Sequence, residues 1–426
     1  MGVALVAVPF LLHRIGQERL GVLSLIWVVV GYFSFLDMGL GRAVTVAVAF
    51  SRAGGGSGRA HELRVLSTVS SLLVGVGIAI SLLLGLGIVN WGEPFHLSSP
   101  QLSQEVAQAL LWMLPSLPLL LLSSTLRGHL EGVGAFRALN LLRIPTGALL
   151  ILGPCITAIY SPDLSWACIS IGVVRLVQVV ALLGLVAKAL ELNFGAFLTS
   201  LMRSHSNASL RPLLSFGGWV TLSNIVGPVI VYVDRFVISA LLSAGAVALY
   251  AVPFDVVSRL PILIAALCSV LLPELARMSH SVASNQREGQ ALRRLVRRSS
   301  GFSAGLMAVV VTVAWMLTPW ALRAWMGPEF AEQSAQVTQI LLLAFGVNAL
   351  AQIPFTALQA CGRARSVALL HAGELLPYGL VLVWSISYLG IEGAAWAWLL
   401  RGIVDYVVLT WLWARHTSRM STGIKD

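Results

Sequence analysis

Residues 138–160 read ALNLLRIPTGALLILGPCITAIY. As an α-helix this stretch would be about 35 Å long, enough to cross a hydrocarbon core of about 30 Å. Arg143 and two prolines interrupt it. It therefore poses two questions at once: a fold solvated by lipid, and a guanidinium placed where lipid is expected. A mid-bilayer arginine costs roughly 3 kcal/mol even on the lenient insertion scale, so such a residue normally faces a polar cavity or a partner.

The rest of the chain repeats this pattern. Of 426 residues, 57% are hydrophobic and 11% charged, and mean hydropathy is +0.86. A soluble domain carries about 25% charged residues. Apolar stretches near 1–12, 21–49, 65–90, 104–126, 138–160, 165–190, 213–241, 246–272, 299–321, 337–360, 368–389 and 393–414 predict twelve transmembrane helices. The expected fold is an all-α polytopic membrane protein, two six-helix bundles around a central cavity. Met1–Leu12 would span only about 18 Å as a helix. It lacks the basic segment and cleavage site of a signal peptide, and is read as a truncated span whose inner half precedes Met1.

The polar segment from Glu191 to Arg211 divides the chain. It predicts an N-terminal bundle over 1–190, a cytoplasmic linker over 191–212 and a C-terminal bundle over 213–426. The linker would carry a short interfacial helix near Ser209–Leu214. The halves are weakly alike. Gly134-Ala135-Phe136-Arg137 leads to Pro145 and Gly147, as Gly362-Arg363-Ala364-Arg365 leads to Pro377 and Gly379, and the sixth and twelfth spans carry central arginines, Arg175 and Arg401. Parallel repeats with a substrate site between them are the expected arrangement. Prolines within spans (Pro115, Pro145, Pro253, Pro261, Pro354, Pro377 among them) predict kinks, tolerated where protein or a water-filled cavity satisfies the freed carbonyl.

Basic residues give the topology. With loops after even-numbered spans and the tail assigned to the cytoplasm, nineteen lysines and arginines fall on that side, Arg127 among them, and three (Arg14, Arg19, Arg323) on the other. That bias satisfies the positive-inside rule and puts the C-terminus in the cytoplasm. The net charge of +10 thus reports topology, and no soluble basic face is present for nucleic acid. The run Arg293-Arg294-Leu295-Val296-Arg297-Arg298 is a topology anchor that also attracts anionic lipid. The four cysteines have no metal spacing and are read as small apolar residues.

Six arginines remain inside spans: Arg42, Arg143, Arg175, Arg235, Arg259 and Arg401. Asp255 and Arg259, and likewise Arg401 and Asp405, are four apart and can pair on one helical face. Asp234-Arg235 lie near a span end, within reach of the interface. Asp37 and Arg42 flank two glycines. Glu374 shares its face with His371 and Tyr378, a stripe that either relays a proton or forms a structural cross-helix pair. Arg143 and Arg175 have no carboxylate within four residues; Asn140 and Gln178 are their helical neighbours. Each either finds a carboxylate on another helix or awaits an anionic ligand, and a diphosphate suits bidentate guanidinium binding. No catalytic set, metal-spaced histidine pair or sizeable extramembrane loop is present, so neither enzyme, metal nor cofactor is expected. A membrane glycosyltransferase or ligase would need such a loop.

Ile15-Gly16-Gln17-Glu18-Arg19-Leu20-Gly21, Gly31-Tyr32-Phe33, Leu36-Asp37-Met38-Gly39-Leu40-Gly41, Asp234-Arg235-Phe236-Val237-Ile238, Leu249-Tyr250 and Leu271-Leu272-Pro273-Glu274-Leu275 occur in this order. In these motifs the chain resembles the O-antigen-type polysaccharide flippases of the multidrug/oligosaccharidyl-lipid/polysaccharide superfamily. The resemblance implies a monomeric flippase in the bacterial inner membrane. It would move an undecaprenyl-diphosphate-linked oligosaccharide from the cytoplasmic to the periplasmic leaflet by alternating access. Partners would be that lipid-linked substrate, membrane lipid, and the polymerase and glycosyltransferases of the same lipopolysaccharide pathway; for some members, coupling to a proton or cation gradient is expected. Arg143, Arg175, Arg42, Arg259 and Arg401 would hold the diphosphate, with Asp37, Asp255 and Glu374 as counter-charges or ion-coupling groups. A lipid II flippase and a cation-coupled drug antiporter of the same superfamily are the alternatives; the antiporter would favour carboxylates over arginines.

Overall fold

A computed structural model describes residues 2–33, 40–53, 58–91, 97, 99–203, 231–281 and 286–422. Within them the chain is helical, with no strand. Two compact units form: Met1–Tyr232 with Ser243–Gly245, and Val233–Leu242 with Ala246–Asp426. The first holds α1 (Gly2–Ile15), α2 (Gln17–Phe33), α3 (Leu40–Ala53), α4 (Gly58–Trp91), α5 (Pro100–Met113), α6 (Ser116–Gly132), α7 (Phe136–Tyr160), α8 (Leu164–Ala189) and α9 (Phe194–Arg203). Helix α10, described over 231–241, leads into the second. There follow α11 (Ala244–Val257), α12 (Ile262–Ser281), α13 (Gln286–Met326), α14 (Pro328–Ala360), α15 (Ala364–Leu389) and α16 (Ile391–Thr422).

Among the described residues nine segments are long and apolar enough to cross a membrane, and they coincide with the third to sixth and eighth to twelfth stretches of the sequence reading. The second stretch falls on α2 and α3, with 34–39 outside the described residues; the seventh, and the interfacial helix near Ser209–Leu214, lie largely or wholly outside them. The surface is apolar in the way lipid requires. Leu82, Leu83, Leu86 and Val89 on α4 are 60–71% exposed.

Local sequence explains the breaks. Ser99 caps α5 through Leu102 N, with Pro100 in the first turn, and Asp163 caps α8 through Ser165 N. Pro115 separates α5 from α6, and the Ser258–Pro261 turn separates α11 from α12. Pro145, Pro253, Pro354 and Pro377 stay inside helices. The likeness of the halves has a structural counterpart. Ala135 N donates to Leu130 O across Gly134, and Arg363 N donates to Leu358 O across Gly362, both glycines at positive φ. Each is the six-to-one bond of a Schellman turn, which favours glycine at the left-handed position. The prolines that follow stand one helical turn apart in register, at Pro145 and Pro377.

In the first unit α6 packs on α3, α4 and α8. A Cβ at Gly128 would meet the carbonyl of Gly41, and one at Gly132 that of Thr45, so α3 approaches α6 backbone to backbone. Leu126, Leu130, Val179, Leu182, Val186 and the fully buried Phe197 of α9 form the adjoining core. In the second unit α14 packs against α13 and α16, and α16 against α15. Phe254, Phe345 and Trp398 cluster there with centroids 5.1–5.4 Å apart.

Candidate functional site

The charged side chains of the membrane segments fall into an uncompensated set in the first unit and a mostly compensated one in the second. On α8, Ile171, Arg175, Gln178 and Leu182 lie on one stripe at helical spacing, and all but Arg175 are fully buried. Arg175 is half-buried. Its Nη1 donates to Gln178 Oε1 at 3.0 Å, and its Nε is buried without a hydrogen-bond partner. The charge it senses is another cation, Arg127 on α6. Arg143, on α7, is exposed. Among the described residues no carboxylate pairs with Arg143 or Arg175. A neutral amide can orient a guanidinium without neutralising it, so Arg175 is held in place with its charge unspent.

Arg127 was counted above as a loop residue because the apolar run ends at Leu126. The helix instead continues to Gly132, and Arg127 stands inside it, donating from Nε to Ser123 O. Helix continuation past an apolar run was the missing signal. Arg42 stands on α3, and Asp37 lies outside the described residues.

The second unit corrects two expected pairings and one expected position. Asp255 does not pair with Arg259. It accepts from Arg235 Nη2 on α10, whose guanidinium also lies 5.4 Å from the Phe254 ring centroid. Arg259 falls in the α11–α12 turn and is exposed, without a carboxylate partner among the described residues. Asp234 and Arg235 do not reach the interface: they are 0% and 2% exposed. Asp234 accepts from Tyr250 Oη at 2.6 Å, Trp398 Nε1 at 2.8 Å and Arg235 N at 2.7 Å. Arg401 does not pair with Asp405. Its Nε lies 3.4 Å from Glu374 Oε2 on α15, while Asp405 Oδ1 lies 3.4 Å from His371 Nε2. The physical reason is that a charge removed from water, such as Arg235, Asp234 or Glu374, takes the nearest opposite or polar group in space, and packed helices offer closer ones than the next turn does.

Arg401 is also flanked by the rings of Trp398 and Tyr378, with centroids 5.0 and 5.7 Å away. Glu374 thus has a cross-helix partner in Arg401. Arg401, His371 and Asp405 line a cavity of about 370 Å³ with Asn348, Gln352 and Thr356, all within the second unit. Two further polar knots tie helix ends of the first unit. Buried Glu62 accepts from Arg52 Nε at 3.0 Å and lies 3.1 Å from His129 Nε2. At the opposite end Arg19 binds Glu105 in bidentate fashion at 2.6 and 2.8 Å. That hydrogen bonding holds the Arg19 guanidinium above its usual pKa against the opposite pull of partial burial.

With this geometry in view, comparisons with known proteins are specific. The sequence profile of the family described as "Polysaccharide biosynthesis protein" matches residues 1–279. The chain belongs to that family. This family member is 30% identical over 420 residues to a Shigella flexneri protein named "Putative O-antigen transporter", covering 97% of this chain and 95% of the relative. Its fold is similar to that of a multidrug resistance MATE family transporter of the MOP superfamily in an inward-facing conformation. The TM-score is 0.74 at 14% identity, over 99% of this chain and 96% of that one. The lipid II flippase MurJ, in an inward closed conformation, matches with a TM-score of 0.65 at 14% identity, over 99% and 88% of the two chains. The family member is therefore a multi-pass membrane protein with the fold of MOP superfamily transporters.

Proposed function

We propose that this protein is a flippase for an undecaprenyl-diphosphate-linked oligosaccharide, such as an O-antigen repeat unit. It carries the substrate from the cytoplasmic to the periplasmic leaflet of the bacterial inner membrane by alternating access, with its C-terminus in the cytoplasm. The observation that carries this reading is that two arginines within apolar helices, Arg143 and Arg175, have no carboxylate partner among the described residues. A guanidinium kept in the membrane without a carboxylate is costly unless an anion completes it, and a diphosphate offers oxygens for bidentate contacts from both. The relative's name supplies the glycan class.

In this reading Arg143 and Arg175 take the diphosphate first. Arg42, Arg259 and Arg401 contribute along its path. Arg401 is released from Glu374 when phosphate arrives and recaptured when it leaves, so Glu374 acts as a counter-charge. Asp255 plays that part for Arg235, and Asp37 for Arg42. Exchange between a carboxylate and a phosphate keeps Arg235 and Arg401 paired at every stage, which avoids the several kcal/mol that an isolated buried charge costs. The polyprenyl chain stays in lipid throughout.

The test uses a strain lacking the endogenous gene, with the protein quantified in membranes. Arg143→Ala and Arg175→Ala should each abolish surface glycan at normal protein level, while Arg175→Lys retains part of it. Surface glycan unchanged in both alanine variants would remove the diphosphate reading. Restored peptidoglycan synthesis in a strain depleted of its lipid II flippase would redirect it to that substrate.

A further inference from the structure

We propose a second anion site in this protein, separate from the substrate arginines: a pocket for the headgroup of an anionic phospholipid at the basic end of the second unit. A cavity of about 220 Å³ opens there between the α14–α15 turn and the last turns of α16, lined by Leu358, Arg363, Ser366, Leu412, Arg415 and His416. Among the described residues its lining holds two guanidiniums, an imidazole and a hydroxyl, and no carboxylate. These are the groups that bind a phosphodiester, two of them able to do so in bidentate fashion.

The apolar surroundings specify a lipid. Val404, Val407, Trp411 and Arg415 follow one another at three- and four-residue spacing on one face of α16. The three apolar members are 42–56% exposed, so the stripe descends from the pocket into the membrane as a track for an acyl chain. The Arg415 guanidinium lies 5.2 Å from the ring centroid of Trp411, a residue type enriched where headgroup meets hydrocarbon. Leu358 and Leu412 add apolar lining beside these polar groups.

The surrounding charge also favours an anionic headgroup over a zwitterionic one. Arg293 of α13 donates to Thr417 O, one residue beyond the pocket, so this arginine borders it. Arg294, Arg297 and Arg298 are exposed. Basic pockets between transmembrane helices on the cytoplasmic side bind such headgroups, and the positive-inside reading puts this end there.

The experiment is native mass spectrometry of the full chain in mild detergent, titrated with phosphatidylglycerol or phosphatidylethanolamine. The wild-type chain should retain phosphatidylglycerol preferentially. Arg363→Gln/Arg415→Gln should weaken its retention roughly thirtyfold, the loss of two basic contacts near the surface. Arg363→Lys/Arg415→Lys keeps the charge and should retain most of the binding, and Arg294→Gln/Arg297→Gln should leave it within about twofold. Equal retention of the two lipids overturns the proposal. So does an equal loss in the Arg294/Arg297 variant, which would mean diffuse surface attraction, or displacement of the lipid by equimolar inorganic pyrophosphate, which would mean a site for soluble phosphate. If the glutamine pair fails to fold, the lysine pair and the pyrophosphate competition decide.

Discussion

Replacing Arg175 with methionine should stabilise the protein while abolishing transport. The structure supplies the terms. A mid-membrane arginine costs roughly 2.5–3.5 kcal/mol on the insertion scale, whereas an apolar side chain costs almost nothing. Arg175 recovers part of that through its bond to Gln178. Removing it leaves Gln178 Oε1 without its donor, in a residue 6% exposed, at roughly 1–2 kcal/mol. The net expectation is a gain of about 1–2 kcal/mol for Arg175→Met, and about 2–3 kcal/mol for Arg175→Met/Gln178→Leu, where the orphaned acceptor is also removed. Reversible unfolding by sodium dodecyl sulfate in mixed micelles measures both, and surface glycan measures transport. A structural arginine behaves oppositely: its loss lowers stability and protein level together. A stability loss above about 1 kcal/mol, or glycan display unchanged in Arg175→Met, would refute the reasoning.

Other consequences follow from the second unit and from helix packing. Glu374→Ala should destabilise by about 2 kcal/mol, less than for a fully isolated ion because Trp398 and Tyr378 still flank Arg401; Glu374→Ala/Arg401→Leu should recover at least half of it in the same titration. A double-mutant cycle between Asp234→Ala and Tyr250→Phe should give a coupling energy of about 1–1.5 kcal/mol, the upper range for interhelical hydrogen bonds in membranes, since the contact is fully buried and charge-assisted. Gly128→Ala should cost about 1–3 kcal/mol through overlap with the Gly41 carbonyl, whereas Gly147→Ala, whose Cβ meets nothing within 4 Å, should leave stability unchanged or slightly raised.

Much of the fold was legible because lipid imposes a simple code. Spans must be about 20 apolar residues long and loops must carry charge according to side, so composition and basic residues alone located nine of the segments that the described residues contain. The repeat signal at Gly134 and Gly362 was legible for a local reason as well: a Schellman turn is specified by the residues within it. Charge pairing was not legible. Arg259 and Asp255, like Arg401 and Asp405, satisfy helical spacing, yet Asp255, Arg401 and Asp405 take their partners from neighbouring helices and Arg259 has no carboxylate partner among the described residues.

The sequence by itself thus determined that this is a polytopic helical membrane protein, and which arginines have no carboxylate on their own helix. Only the tertiary structure decided that Arg401 belongs with Glu374, that Asp234 is buried among Tyr250 and Trp398, and that Arg127 stands inside a helix. The physical reason is range. Hydrophobic length and turn chemistry act within a few residues along the chain, whereas a buried charge is governed by whatever packing brings within a few ångströms, however distant in sequence.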